Sequence, residues 1–157
     1  MRFAIPLLFI FSVNSLAQMN SSVCVDLKIA PLRKDPKMDA KTIVEYSKYT
    51  PLKLTGKKDG RFVQVTDQRG RTGWLRMGEV SSDYSCLSVK VDKSRMRKGP
   101  GSDFPRADVA QRGDGFLDLG GEDGWTKVES ADGTSSWIRL EHTWKPRSKV
   151  RMSFDGK

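Results

Sequence analysis

Hydrophobic and polar residues alternate along this chain in short runs, and a helical period is weak everywhere. Phe62-Val63-Gln64-Val65 and Trp125-Thr126-Lys127-Val128 alternate bulky apolar with polar side chains, the pattern of a strand with one buried face. Leu52-Lys53-Leu54 and Phe116-Leu117-Asp118-Leu119 read as further short strands. Asp59-Gly60 and Asp123-Gly124 supply turn residues ahead of the first pair of strands. Asp67-Gln68-Arg69-Gly70 and Asp132-Gly133 supply turns after it, leading into Gly73-Trp74-Leu75 and Ser136-Trp137-Ile138. Only Asp39 to Tyr46 is expected to take a helical turn or two. Many short strands at close spacing predict an all-β chain, organised as small barrels or a sandwich.

The same landmarks occur twice. Leu32-Arg33-Lys34-Asp35-Pro36 returns as Met96-Arg97-Lys98-Gly99-Pro100 after 64 residues, and Asp59-Gly60 returns as Asp123-Gly124 at the same interval. Leu52 and Leu54 match Leu117 and Leu119, 65 residues on, while Phe62 to Val65 and Gly73 to Leu75 match Trp125 to Val128 and Ser136 to Ile138 at 63. Order and spacing kept together mark a duplication. The first unit is expected over residues 24–86 and the second over 87–144, opening at once with Leu87-Ser88-Val89-Lys90-Val91. With no Gly/Ser- or Pro-rich linker between them, the two units are expected to sit at a nearly fixed angle.

The first residues change the setting. Met1-Arg2 is a short basic start, Phe3 to Phe11 is apolar apart from Pro6, and Ser15-Leu16-Ala17 fits a small-x-small cleavage site. Residues 1–17 therefore read as a secretory signal peptide, too short in its apolar part to anchor the chain in a bilayer. A periplasmic or secreted product, without stable membrane insertion, is expected. In that setting Cys24 and Cys86 favour a disulfide. Such a bond would close a loop of 63 residues, and a loop of that size is stabilised by roughly 4 kcal/mol in an unstrained native state. Two free core thiols, or a redox pair, are the alternatives, although no Cys-x-x-Cys spacing is present.

Charge narrows the partners. The chain holds 28 Lys+Arg against 19 Asp+Glu, a net charge of +9. A basic surface favours anionic partners; outside the cytoplasm these are envelope polymers and lipid phosphates, not nucleic acid. The same charge also serves solubility alone. Residues 145–157 form a basic tail, expected to be flexible and solvated.

The motifs resemble the bacterial SH3-like (SH3b) domains of exported proteins. In the second unit, Met96-Arg97-Lys98-Gly99-Pro100-Gly101-Ser102-Asp103-Phe104 resembles that family's Val-Arg-x-Gly-Pro-Gly-x-x-Tyr/Phe stretch. Asp123-Gly124-Trp125-Thr126-Lys127-Val128 and Trp137-Ile138 resemble its two tryptophan strands. The first unit matches more loosely, with Lys34-Asp35-Pro36-Lys37 in place of Gly-Pro-Gly and Phe62 in place of tryptophan. The resemblance implies two tandem small SH3-like β-barrels, the first mainly a scaffold and the second the binder. It also implies a non-catalytic role, with peptidoglycan, through its peptide or cross-bridge, as the ligand. An adaptor for an envelope enzyme or receptor is the competing expectation.

Within the second unit the candidate binding residues are Arg97, Phe104, Arg106, Trp125 and Trp137. Aromatic rings offer a flat surface to a peptide or sugar. Arg97 and Arg106 would meet a carboxylate or phosphate through paired hydrogen bonds. Trp74 and Trp137 occupy a strand position common to both units, which argues for the core, and Arg33 and Arg97 recur in the same way, which argues for a bond to their own loop carbonyls. Catalysis has little to build on. The single histidine, His142, lacks a partner motif. A zinc site lacks ligands, no phosphate-loop signature is present, and no cofactor is expected.

Overall fold

The computed structural model describes residues 22–146; the expected signal peptide and all but the first two residues of the basic tail lie outside them. The described chain is all-β apart from two three-residue 3-10 turns. The first seven strands are β1 (Ser22–Val25), β2 (Ile29–Arg33), β3 (Thr42–Ser47), β4 (Pro51–Asp59), β5 (Phe62–Thr66), β6 (Thr72–Arg76) and β7 (Val80–Ser81). They form one antiparallel sheet in the order β3-β2-β6-β5-β4-β1-β7. Next come β8 (Cys86–Val89), β9 (Lys93–Arg97), β10 (Arg106–Gln111), β11 (Gly115–Glu122), β12 (Trp125–Glu129), β13 (Ser135–Arg139) and β14 (Thr143–Trp144). Their order is β10-β9-β13-β12-β11-β8-β14, the first sheet with every index advanced by seven. The 3-10 turns Met77–Glu79 and Leu140–His142 hold equivalent places, each leading into the last strand of its sheet.

Each sheet encloses its own apolar cluster. In the first, Val25, Leu32, Leu52, Val65 and Leu75 are fully buried. In the second, Val89, Met96, Phe116, Val128 and Ile138 fill the corresponding places. Burying only a few side chains each, these clusters are small, and units of this size gain from a covalent staple.

Several expectations are corrected by register. Leu52 pairs with Val23, and its equivalent paired with Leu87 is Phe116, not Leu117. Because side chains alternate faces along a strand, that one-residue slip turns Leu117 and Leu119 away from the core, and Leu119 is indeed exposed. The Asp-Gly pairs are also offset. In the second unit Asp123-Gly124 is the two-residue loop joining Glu122 to its partner Trp125, with φ of 50° and 79°. In the first, Asp59 is already the strand residue paired with Phe62, and Gly60 takes the first loop position with φ 53°. Glycine and aspartate meet the positive φ that such hairpin loops require. Asp39 to Tyr46 is not helical: a turn ends near Ala40 and β3 follows. Its strand pairing with β2 takes precedence over a weak local helical pattern.

The cysteines are bonded, Cys24 to Cys86, with Cα atoms 6.0 Å apart. Their placement differs from expectation, however. Cys86 does not close the first unit; it lies in β8, the opening strand of the second sheet. The disulfide therefore joins the first strand of one sheet to the first strand of the other. All four residues of β8 are buried, because Leu87 and Val89 face their own core while Cys86 and Ser88 face the junction. Around the bond the backbones approach closely. A Cβ on Gly115 would lie 2.6 Å from the Thr50 amide nitrogen and 2.8 Å from the Tyr49 carbonyl oxygen. Gln68 Nε2 donates across the junction to the Val89 carbonyl at 3.3 Å.

Candidate functional site on the outer face of the second unit

Side chains at positions paired across antiparallel strands point to the same face. Arg106 pairs with Arg97, Arg97 with Trp137, and Trp137 with Lys127. These four residues thus make a row across β10, β9, β13 and β12, on the face opposite the core residues Met96, Val128 and Ile138. Three strand spacings of about 4.8 Å give the row a length of about 14 Å. Arg106 and Lys127 are exposed, and Arg97 and Trp137 are half-buried. Among the described residues none of the three cations forms a salt bridge. Arg97 Nη1 donates to the Phe104 carbonyl at 3.2 Å, the loop-capping role its recurrence suggested, and its other guanidinium hydrogens take no partner among the described residues.

Phe104 stands at one edge of this row, 45% exposed. A Cβ on Gly99 would overlap its ring, and one on Gly101 would lie 3.3 Å from it. The Gly-Pro-Gly sequence is therefore what allows the ring to lie against the loop. The first unit shows the converse: at these positions it has Asp35 and Ala40, and with no ring to accommodate it needs no glycine. Its loop keeps the same bonds, Lys37 N–H to the Asp35 carbonyl at 2.8 Å beside Gly101 N–H to the Gly99 carbonyl at 2.9 Å.

The tryptophans are placed otherwise than expected. Trp74 and Trp137 are half-buried on the outer face, and their neighbours Leu75 and Ile138 line the cores. Trp125, one of the candidate binding residues, is only 7% exposed. The Arg139 guanidinium lies 5.0 Å from its ring centroid and donates from Nη2 to Ser102 Oγ at 2.8 Å. Arg139 thus ties the Phe104 loop to β13 and covers the indole, so that Trp125 supports the face without offering an open ring. Lys127 and Arg139 were not among the residues expected from sequence. The two-residue period that relates Lys127 to Trp125 and Arg139 to Trp137 would have placed them on the same face.

The first unit carries the same row with different residues: Thr42, Arg33, Trp74 and Gln64. Here Arg33 is buried and closed internally. Its Nη1 and Nη2 donate to both Glu79 carboxylate oxygens, at 2.9 and 3.0 Å, and Glu79 Oε2 also accepts the Arg76 N–H at 2.8 Å. The residue equivalent to Glu79 is His142, whose Nδ1 lies 2.8 Å from Ser94 Oγ and which does not reach Arg97. Gln64 is likewise engaged, accepting from the Thr55 hydroxyl at 2.9 Å. Tyr49 sits in the β3–β4 turn and packs edge-on against Tyr84 near the junction, its centroid 5.6 Å away.

Two further groups, Lys145 and Asp118, bear on the chemistry. Lys145, the first residue of the expected tail, is held by Asp118 at 2.8 Å. Burial alone would raise the Asp118 carboxyl, but Lys145, the Gly120 N–H and the Thr126 hydroxyl outweigh it and hold the group below the usual carboxylate range. Among the described residues no three metal-ligating side chains gather at one point, and no helix is long and apolar enough to cross a membrane.

Comparison with known proteins bears on the fold. Two solved structures resemble this one weakly. NlpC1 from Trichomonas vaginalis is 11% identical at a TM-score of 0.37, over 94% of this chain and 54% of that one. NlpC2 from the same organism is 9% identical at 0.35, over 79% and 47%. The chain thus spans about half the length of either. No curated protein matches it. Residues 27–82 match the family model described as bacterial SH3 domain, whereas the motifs legible in the sequence are clearer in the second unit. The chain thus carries a bacterial SH3 domain over residues 27–82.

Proposed function

We propose that this is an exported, non-catalytic binding protein of the cell envelope, in which two SH3-like barrels form one tandem body and the second barrel holds the ligand. The ligand class is the peptidoglycan peptide, or a similar extended chain bearing anionic groups. The observation that carries this reading is the row Arg106–Arg97–Trp137–Lys127, three cations around an indole with no salt-bridge partner among the described residues. An extended ligand lying across the strands would stack on Trp137 and place carboxylates against the cations, each such charge-assisted bond contributing about 1.5–3 kcal/mol. Phe104 would flank its backbone. The first unit, with Arg33 neutralised, serves as the scaffold.

A non-catalytic role agrees with the side chains present. Both cysteines are consumed in the disulfide, and the one hydroxyl bonded to His142, that of Ser94, is only 1% exposed and closed to a substrate. The test is co-sedimentation of the protein with purified sacculi, with mass spectrometry of whatever else is retained in cells. Enrichment on sacculi is the expected result. Absence of enrichment at both low and physiological salt rejects the reading, and one dominant cross-linked protein partner replaces it with an adaptor role.

A further inference from the structure

A second polar site lies at the junction. A cavity of about 340 Å³ opens between the units, within the size range of small-ligand pockets, which favour such interfaces. One wall is the β5–β6 turn with Arg69 and Arg71, the floor is Tyr46 and Thr50, the opposite wall is Arg112 and Gly113 of the second unit, and Glu45 adds one carboxylate to the lining against three arginines. The disulfide, the Gly115 contact and the Gln68 bond hold these walls together, so the cavity is preformed and little ordering is needed to fill it.

The arginines in it are oriented. Arg71 donates through Nε to Asp67 Oδ2 at 2.7 Å, and Arg112 donates through Nε to Asp92 Oδ1 at 2.9 Å. Each is thus held by its inner nitrogen, while its terminal nitrogens take no partner among the described residues. Those nitrogens are the pair that grips a carboxylate or phosphate in two parallel hydrogen bonds. Asp67 does not compete for a ligand. It is 3% exposed at its side chain and accepts the Tyr46 hydroxyl at 2.9 Å and the Arg69 and Arg71 backbone N–H groups, each at 2.9 Å. Arg69, exposed and without a salt bridge among the described residues, adds a cation at the rim.

The duplication provides an internal control. The β12–β13 turn has the same backbone bonds, Ser130 N–H to the Thr134 carbonyl at 3.0 Å beside Asp67 N–H to the Arg71 carbonyl at 3.1 Å. Yet the residues equivalent to Tyr46, Asp67 and Arg71 are Ala110, Ser130 and Thr134, and that turn does not border the cavity. A staple needed by the fold itself would be expected in both copies; this one is built only where the cavity lies.

We infer that the cavity between the units is a binding site for a small anionic group, a carboxylate or a phosphate, gripped by Arg71 and Arg112 with Arg69 at its rim. The test is titration of the disulfide-bonded protein with inorganic phosphate and, separately, with citrate, followed by amide NMR shifts. Saturable shifts at Arg69, Arg71 and Gly113 are expected with at least one probe. The tighter probe identifies the source, a phosphate-bearing or a carboxylate-bearing ligand. Arg69→Ala/Arg112→Ala, both exposed side chains, should weaken binding by about tenfold or more through loss of charge-assisted bonds, and Lys57→Ala, an exposed cation on β4 outside both sites, should leave it unchanged. Shifts that fail to saturate, or that saturate equally in the double variant, would overturn the inference, whatever the sacculus experiment returns.

Discussion

Arg33 and Arg97 occupy the same place in two copies of one fold and meet opposite fates. Arg33 is buried against Glu79, bonded at both carboxylate oxygens, and its guanidinium also lies 5.8 Å from the Phe62 ring centroid. Arg97 has His142 where Glu79 would be, remains half-buried, and caps a single carbonyl. One acidic residue separates a buried, fully bonded arginine from one left half-exposed. The difference extends along the row, where Thr42 and Gln64 in the first unit face Arg106 and Lys127 in the second. Duplication keeps the backbone and lets each copy specialise through its outer face.

The comparison is most severely tested at Glu79. Glu79→Ala strands a buried guanidinium, and removing one partner of a buried pair costs about 3–5 kcal/mol. Urea unfolding should show that loss, while His142→Ala should cost no more than about 1.5 kcal/mol, the scale of one ordinary hydrogen bond. Equal losses would mean that the two positions are not differently used. Next in size is the disulfide. Cys24→Ser/Cys86→Ser should lower stability by about 2–4 kcal/mol, and because the bond joins the two sheets it should also broaden junction resonances such as those of Gly115 and Gln68.

A smaller effect is expected from pH. Burial pushes the Asp67 carboxyl up, but the Arg71 side chain, the Tyr46 hydroxyl and two backbone N–H groups outweigh it and hold it below its ordinary value. A carboxyl whose folded pKa lies below its unfolded one stabilises fully above about pH 4, and that contribution disappears as pH falls through the folded value. Thermal melts below pH 4 should therefore show a loss that Asp67→Asn lacks. Tyr46, raised by burial and then by Asp67, stays protonated and continues to donate across the neutral range. The smallest stability effect belongs to Arg97→Ala, expected within about 0.5 kcal/mol because it removes one exposed bond.

Much of the fold was legible before the structure. Alternating strands, Asp-Gly turns and the repeat are local signals, and local signals survive in a linear reading. The bonding of Cys24 to Cys86 followed from the expectation of export, but its role did not, because which sheet Cys86 joins is decided by pairing with β11. Leu117 aligns with Leu52 in a linear reading because Phe116 next to it is equally apolar, and only register separates them. Tryptophan in both copies suggested a core position; the strand period places Leu75 and Ile138 there. The Arg33–Glu79 pair, 46 residues apart, leaves no local trace, so the feature that distinguishes the two units appears only when the sheet is assembled.

The open face of the second unit is tested most directly by paired substitutions at equivalent positions. Arg106→Ala/Lys127→Ala and Thr42→Ala/Gln64→Ala change the same two ends of the same row in the two copies. Retention on purified sacculi should fall by about tenfold or more in the first pair, as expected for two lost charge-assisted contacts, and stay near wild type in the second. Equal retention of both pairs, or a greater loss in the first-unit pair, would contradict a division of labour between scaffold and binder.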